Sequence, residues 1–137
     1  MAREDVEVLR SAYEALNRGD TRSAIEALDE HAEWHEHSSL PEAGAYRGRV
    51  AIAAFLDSFL ESWQQFRQEA ERFVDAGDRV AILLHSFARG KGSGVEVEMR
   101  YAHVWTMRSG RGTRVDTYED PAEALAMVGE PSARSEA

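Results

Sequence analysis

Halfway along the chain the spacing of apolar residues changes, and that change limits the fold more than any other feature of the sequence. Ile52, Phe55, Leu56, Phe59, Leu60 and Trp63 recur every three to four positions, the stripe of an amphipathic helix. From Phe66 onward the period is two. Segments Phe66–Ala76, Val80–Arg89, Val95–Arg108 and Thr113–Glu119 alternate as strands, separated by the turn formers AGD, GKGSG and SGRG. Four strands joined by short turns make an antiparallel meander. Such a sheet must bury one face, and the helical segments that precede it supply the cover.

The N-terminal third fits that role. Val6, Leu9, Tyr13 and Leu16 form a helical stripe that ends at Gly19, a residue suited to the left-handed turn after a helix. Asp20 caps a second helix carrying Ala24, Ile25 and Leu28. A short strand is expected at 32–37, and SSLPEAGAYRG, 38–48, reads as a loop. At the far end Asp120-Pro121-Ala122-Glu123 opens a last helix that runs to about Val128 and stops at Gly129. The order α-α-β-α-β-β-β-β-α predicts one α+β domain over 1–129, a curved sheet packed on its N-terminal helices, with a flexible tail at 130–137.

Composition removes several function classes. There is no cysteine, so disulfides, thiolate zinc sites and cysteine nucleophiles are excluded. A formal charge of −9, with the arginines scattered and Lys91 the lone lysine, argues against nucleic acid. The longest apolar-leaning run, Val50–Leu60, is too short to span a bilayer. The stretch MAREDVEVLR is charged from its third residue and does not read as a signal peptide, so a cytoplasmic location is expected.

Alternation also sorts side chains by face. In Val95–Arg108 the odd positions, Val95, Val97, Met99, Tyr101, His103, Trp105 and Met107, form the buried face, and His103 is the one ionisable group on it. In HAEWHEH, 31–37, the indole of Trp34 selects the inner face and takes Glu36 with it. His31, Glu33, His35 and His37 then point to a rim. His35 and His37 have the spacing of a metal-binding pair on a strand, but a solvated rim is the expected reading, with no metal and no cofactor. GKGSG lacks the spacing of a phosphate-binding loop and reads as a hairpin turn. In the last strand the face of Val115, Thr117 and Glu119 is taken as inward.

The segments YEALNRGD, HAEWHEH, YRGRVAIAAFL, AHVWTMRSG and VDTYEDPAEAL together resemble the SnoaL-like polyketide cyclase and ketosteroid-isomerase-like group of the nuclear-transport-factor-2-like superfamily, over about residues 5–129. The resemblance implies a cone: a curved antiparallel sheet wrapped around helices, a pocket at its open end, and a homodimer. It also implies a base carboxylate at Glu36 and, in place of an aspartic-acid donor, His103. Ala12 falls where that group has a tyrosine donor, with Tyr13 one step round the helix. Relatives that hydrolyse epoxides use two carboxylates, whose positions here are His103 and Thr117.

The expected function is a cofactor-independent isomerase or cyclase acting on a small apolar carbonyl or polyketide-like compound. Glu36 and His103 are the catalytic candidates. Trp34, Tyr46, Phe59, Trp63, Tyr101, Trp105, Thr117 and Glu119 are the pocket candidates. His85 is left open between the pocket and the outer face. The alternatives are a small-ligand binder without catalysis and a dimeric interaction domain.

Overall fold

The protein is described from a computed structural model, which places residues 2–37 and 44–129. Helix α1 (Ala2–Asn17) ends as its sequence dictates. Gly19 adopts φ 77°, its N–H reaches the Leu16 carbonyl at 2.9 Å, and the Asp20 N–H reaches Ala15 at 2.9 Å. This is the paired closure that a left-handed glycine permits. Asp20 then caps the next element, accepting from the Ser23 N–H at 3.1 Å. That second helix is a single turn, α2 (Thr21–Ala24), followed by a 3-10 turn over Ile25–Ala27.

Strand β1 (Leu28–His37) starts four residues earlier than the alternation suggested. Part of the expected 38–48 loop is a short strand, β2 (Gly44–Arg47), Gly48 follows it at φ 86°, and 38–43 lie outside the described residues. Helix α3 (Arg49–Glu61) stops before Trp63, which opens β3 (Trp63–Asp75) and is not part of the helix. The remaining elements are β4 (Arg79–Gly90), β5 (Glu96–Arg108), β6 (Arg111–Tyr118) and α4 (Pro121–Met127). The GKGSG segment is the β4–β5 turn, tied by Gly90 N–H to the Val95 carbonyl at 2.8 Å. The expected tail at 130–137 lies outside the described residues.

The strands form one six-stranded, curved and unclosed sheet in the order β2-β1-β6-β5-β4-β3. All neighbours are antiparallel except β1 and β6, which run parallel. The meander holds, and the first strand joins its last member the other way round. Helices α1 and α3 fill the concave face, where Leu9, Leu28, Ile52, Ile82, Leu84 and Val115 are fully buried. Helix α4 covers part of the convex face through Ala124 and Leu125 on Ala81, Ala102 and Val104. Residues 102–105 of β5 are therefore buried on both faces, and alternation fails there. It fails at the other end too: Val95 precedes the strand and is 57% exposed, and Met99 is exposed, although both sit on the face expected to be buried.

Two local devices hold the sheet. The Asn17 side chain stands in for a missing neighbour of β3: its Nδ2 donates to the Gln68 carbonyl at 2.8 Å and its Oδ1 accepts from the Gln68 N–H at 2.8 Å. Gly112 of β6 lies directly under the Trp105 ring, where a Cβ would collide with Cε3 and Cζ3. Gly112→Ala is expected to destabilise the fold by about 1–3 kcal/mol, because the indole is packed and cannot yield freely. Urea unfolding checks this, and an unchanged midpoint would mean that Trp105 has room to move.

Candidate functional site

The site is set by strand register. Glu36 of β1 pairs with Thr117 of β6, and Thr117 pairs with His103 of β5. The three side chains thus stand in one row on the concave face. At about 4.8 Å per strand step, the outer two are on the order of 10 Å apart at their Cα atoms. The next row down is Trp34, Val115 and Trp105. All of these except Val115 line one cavity of about 330 Å³, together with Tyr13, Leu28, Phe55, Phe59, Gln68, Tyr101 and Glu119.

Each polar group has a definite setting. The Glu36 carboxylate is half-buried and accepts from the Trp34 indole N–H at 2.9 Å. Trp34 also meets the His103 ring edge-on, with centroids 5.1 Å apart. His103 is 5% exposed, and burial alone pushes its imidazole down to about 3, so it is neutral at physiological pH. Its Nδ1 lies 2.6 Å from the Tyr13 hydroxyl, which also accepts from the Trp105 indole N–H at 2.9 Å. Burial drives the Tyr13 hydroxyl well above its ordinary value, so it stays protonated. Tyr101 is pushed up to about 12 by burial, which a hydrogen bond from Gln68 only partly offsets. Among the described residues Thr117 Oγ1 and Gln68 Oε1 are buried without partners. Such atoms cost about 1–3 kcal/mol each unless water or a ligand meets them.

Most of the residues singled out in the sequence gather here: Glu36, His103, Trp34, Phe59, Tyr101, Trp105, Thr117 and Glu119 all line the cavity. Tyr46 and Trp63 do not. Tyr46 stacks on Phe55 with centroids 4.3 Å apart, and Trp63 packs edge-on to Phe59 at 6.3 Å. His85 is on the convex face, against Glu98 and Phe87. His35 holds Glu33 at 2.8 Å on the face opposite Trp34, and no three metal-ligating side chains converge among the described residues.

Tyr13 corrects the sequence reading. Ala12 takes the tyrosine position by motif, yet both residues line the cavity, and the longer side chain of Tyr13 reaches its floor. A buried helical stripe is at least about 100° wide, so neighbours 12 and 13 both fall within it. Gln68 was also missed. Its signal is a polar residue at an inward slot between Phe66 and Ala70, an unsatisfied position in an otherwise apolar face.

The family model of the SnoaL-like domain matches residues 9–115, and the chain belongs to that family. No curated protein matches it in sequence. Its fold is similar to that of solved proteins. A nuclear-transport-factor-2-like protein of unknown function from Burkholderia pseudomallei is 21% identical, with 92% of this chain and 98% of that one covered and a TM-score of 0.78. TerC, co-crystallised with polyporic acid, is 20% identical, with 91% and 98% covered and a TM-score of 0.78. A protein from Jannaschia sp., described as a candidate SnoaL-like polyketide cyclase, is 18% identical, with 95% of each chain covered and a TM-score of 0.76. At these identities the likeness is one of fold.

The buried imidazole has a thermodynamic signature. His103 sits at about 3 in the fold against an ordinary 6.5, so the unfolded chain takes up its proton first as pH falls. Stability is therefore lost through the window from 6.5 down to about 3. By about pH 5 this residue alone is expected to withdraw roughly 2 kcal/mol. His103→Gln should remove that share of the acid sensitivity, read from urea unfolding at about pH 7.5 and about pH 5. Equal sensitivity in the two proteins would show that the imidazole titrates normally.

Proposed function

We propose that the cavity catalyses proton transfer next to a carbonyl, in an isomerisation or an aldol-type ring closure of a small, largely apolar or polyketide-like compound. The observation that carries this reading is the row Glu36–Thr117–His103 along one wall of an aromatic-lined cavity. A carboxylate and a neutral imidazole at that separation leave room for a substrate between them. Glu36 would take the proton from the carbon α to the carbonyl. The electron pair moves to the oxygen, where His103 donates a hydrogen bond to the developing enolate. Protonated Glu36 then returns the proton to another carbon, or the enolate carbon attacks a second carbonyl, closes a ring and leaves an alkoxide that takes the proton back from Glu36. Protons and electron pairs balance between side chains and substrate, so the step calls for no redox partner.

The setting of each group supports these roles. Trp34 orients Glu36 by its indole N–H. The walls supplied by Phe55, Phe59 and Trp105 favour an apolar body, and the unpartnered Thr117 hydroxyl offers one more hydrogen bond to it. That a neighbour of the same fold was co-crystallised with polyporic acid supports a small organic molecule as the occupant.

Glu36→Gln keeps the shape and the bond from Trp34 but removes the base. With a panel of small enolisable ketones followed by deuterium exchange at the α-carbon, kcat is expected to fall about 10²–10⁴-fold with the unfolding midpoint nearly unchanged. Exchange at the wild-type rate in this variant would sink the acid–base role and leave a ligand-binding cavity.

A further inference from the structure

The bonds around Tyr13 decide which proton His103 offers. The Trp105 indole is a donor only, so the Tyr13 oxygen must accept from it at 2.9 Å. The phenol has one proton, and His103 Nδ1 is the only acceptor it meets among the described residues. The Oη–Nδ1 distance is 2.6 Å, shorter than the range for an N–H donor to oxygen and typical of an O–H donor. Acid strengths agree, because a phenol is a stronger proton donor than a neutral imidazole and the imidazole nitrogen is the better acceptor. The other ring nitrogen, Nε2, has no partner among the described residues, and the ring itself lines the cavity.

We infer that Tyr13 locks His103 as the Nε2–H tautomer, so that the imidazole meets the cavity as a hydrogen-bond donor and not as a base. Tyr13 is then a positioning residue, held in turn by Trp105. The lock selects the ligand: an sp2 oxygen of a ketone, enolate or phenolate type is accepted at Nε2–H, and an N–H or O–H donor finds no acceptor there. It also divides the labour, leaving Glu36 as the base on this wall. This use of the N–H rests on the acid–base reading above; the tautomer does not.

The test needs no substrate. The full chain labelled with nitrogen-15 histidine is observed by long-range proton–nitrogen correlation near neutral pH, with the His103 signals identified by their loss in His103→Gln. The expected spectrum has Nδ1 unprotonated and Nε2 protonated in the wild type. In Tyr13→Phe the donor to Nδ1 is gone, and both nitrogens should move toward averaged positions as the Nδ1–H form gains population. Protonated Nδ1 in the wild type would overturn the inference, since the free Tyr13 proton would then face the cavity. A Tyr13→Phe spectrum with the wild-type tautomer would remove Tyr13 as the lock. Should that variant fail to fold, the wild-type spectrum still decides. A normal lock with full activity in Glu36→Gln would instead count against the acid–base reading alone.

Discussion

The parallel pairing of β1 with β6 is the constraint on which the cavity floor depends. A shift of one residue would turn every β1 side chain to the other face, placing His35 and Glu33 inside and Glu36 in solvent. Register is protected by burial. Trp34, Ala32 and Leu28 are all core residues on β1, and Trp34 meets Trp105 across β6 with ring centroids 6.4 Å apart. On the opposite face Arg47 of β2 reaches Glu33 of β1 at 2.9 Å, and within β6 Arg114 grips Asp116 with two bonds of 2.9 Å each. The exposed Arg47–Glu33 pair contributes little, and the part-buried Arg114–Asp116 pair acts within one strand. The apolar row under the catalytic candidates does most to hold it in place.

That arrangement concentrates polar groups in a setting where charge is expensive. Tyr13, His103 and Trp105 satisfy one another at the floor, and all three remain neutral at ordinary pH. A donor that carries no charge can stay buried without a counter-ion, so the cavity keeps its apolar walls. Glu36 is placed differently: it is half-buried, with the Trp34 indole N–H against its carboxylate.

Much of this was legible in the sequence, and the gaps have physical causes. The indole in HAEWHEH fixed the inner face of β1 because a Trp side chain has one good place to go. His103 stood out as the only basic or acidic side chain in an otherwise apolar and aromatic alternation. Strand β2 was not legible: Gly44–Arg47 is four residues long, contains a glycine and pairs only with β1. Trp63 was misplaced because an aromatic three positions after Leu60 suits a helix and a strand equally, and no glycine or proline marks the boundary. The parallel partner of β1 is eighty residues away in sequence (Glu36 to Thr117, roughly), and no local pattern records so distant a pairing. Matching by motif puts Ala12 at the tyrosine position because it counts places along the helix and not the reach of the Tyr13 side chain.

Strand β3 is the last member of an open sheet, and its outer edge would ordinarily invite another strand to add to it. Asn17 occupies the hydrogen-bonding groups of Gln68 with its own amide, and the ladder to β4 is interrupted between Ala70 and Arg72. At Gln68 an incoming strand would have to displace that amide before it could pair. The same amide that lends the sheet an extra rung also occupies a place on the edge that another strand would have to use.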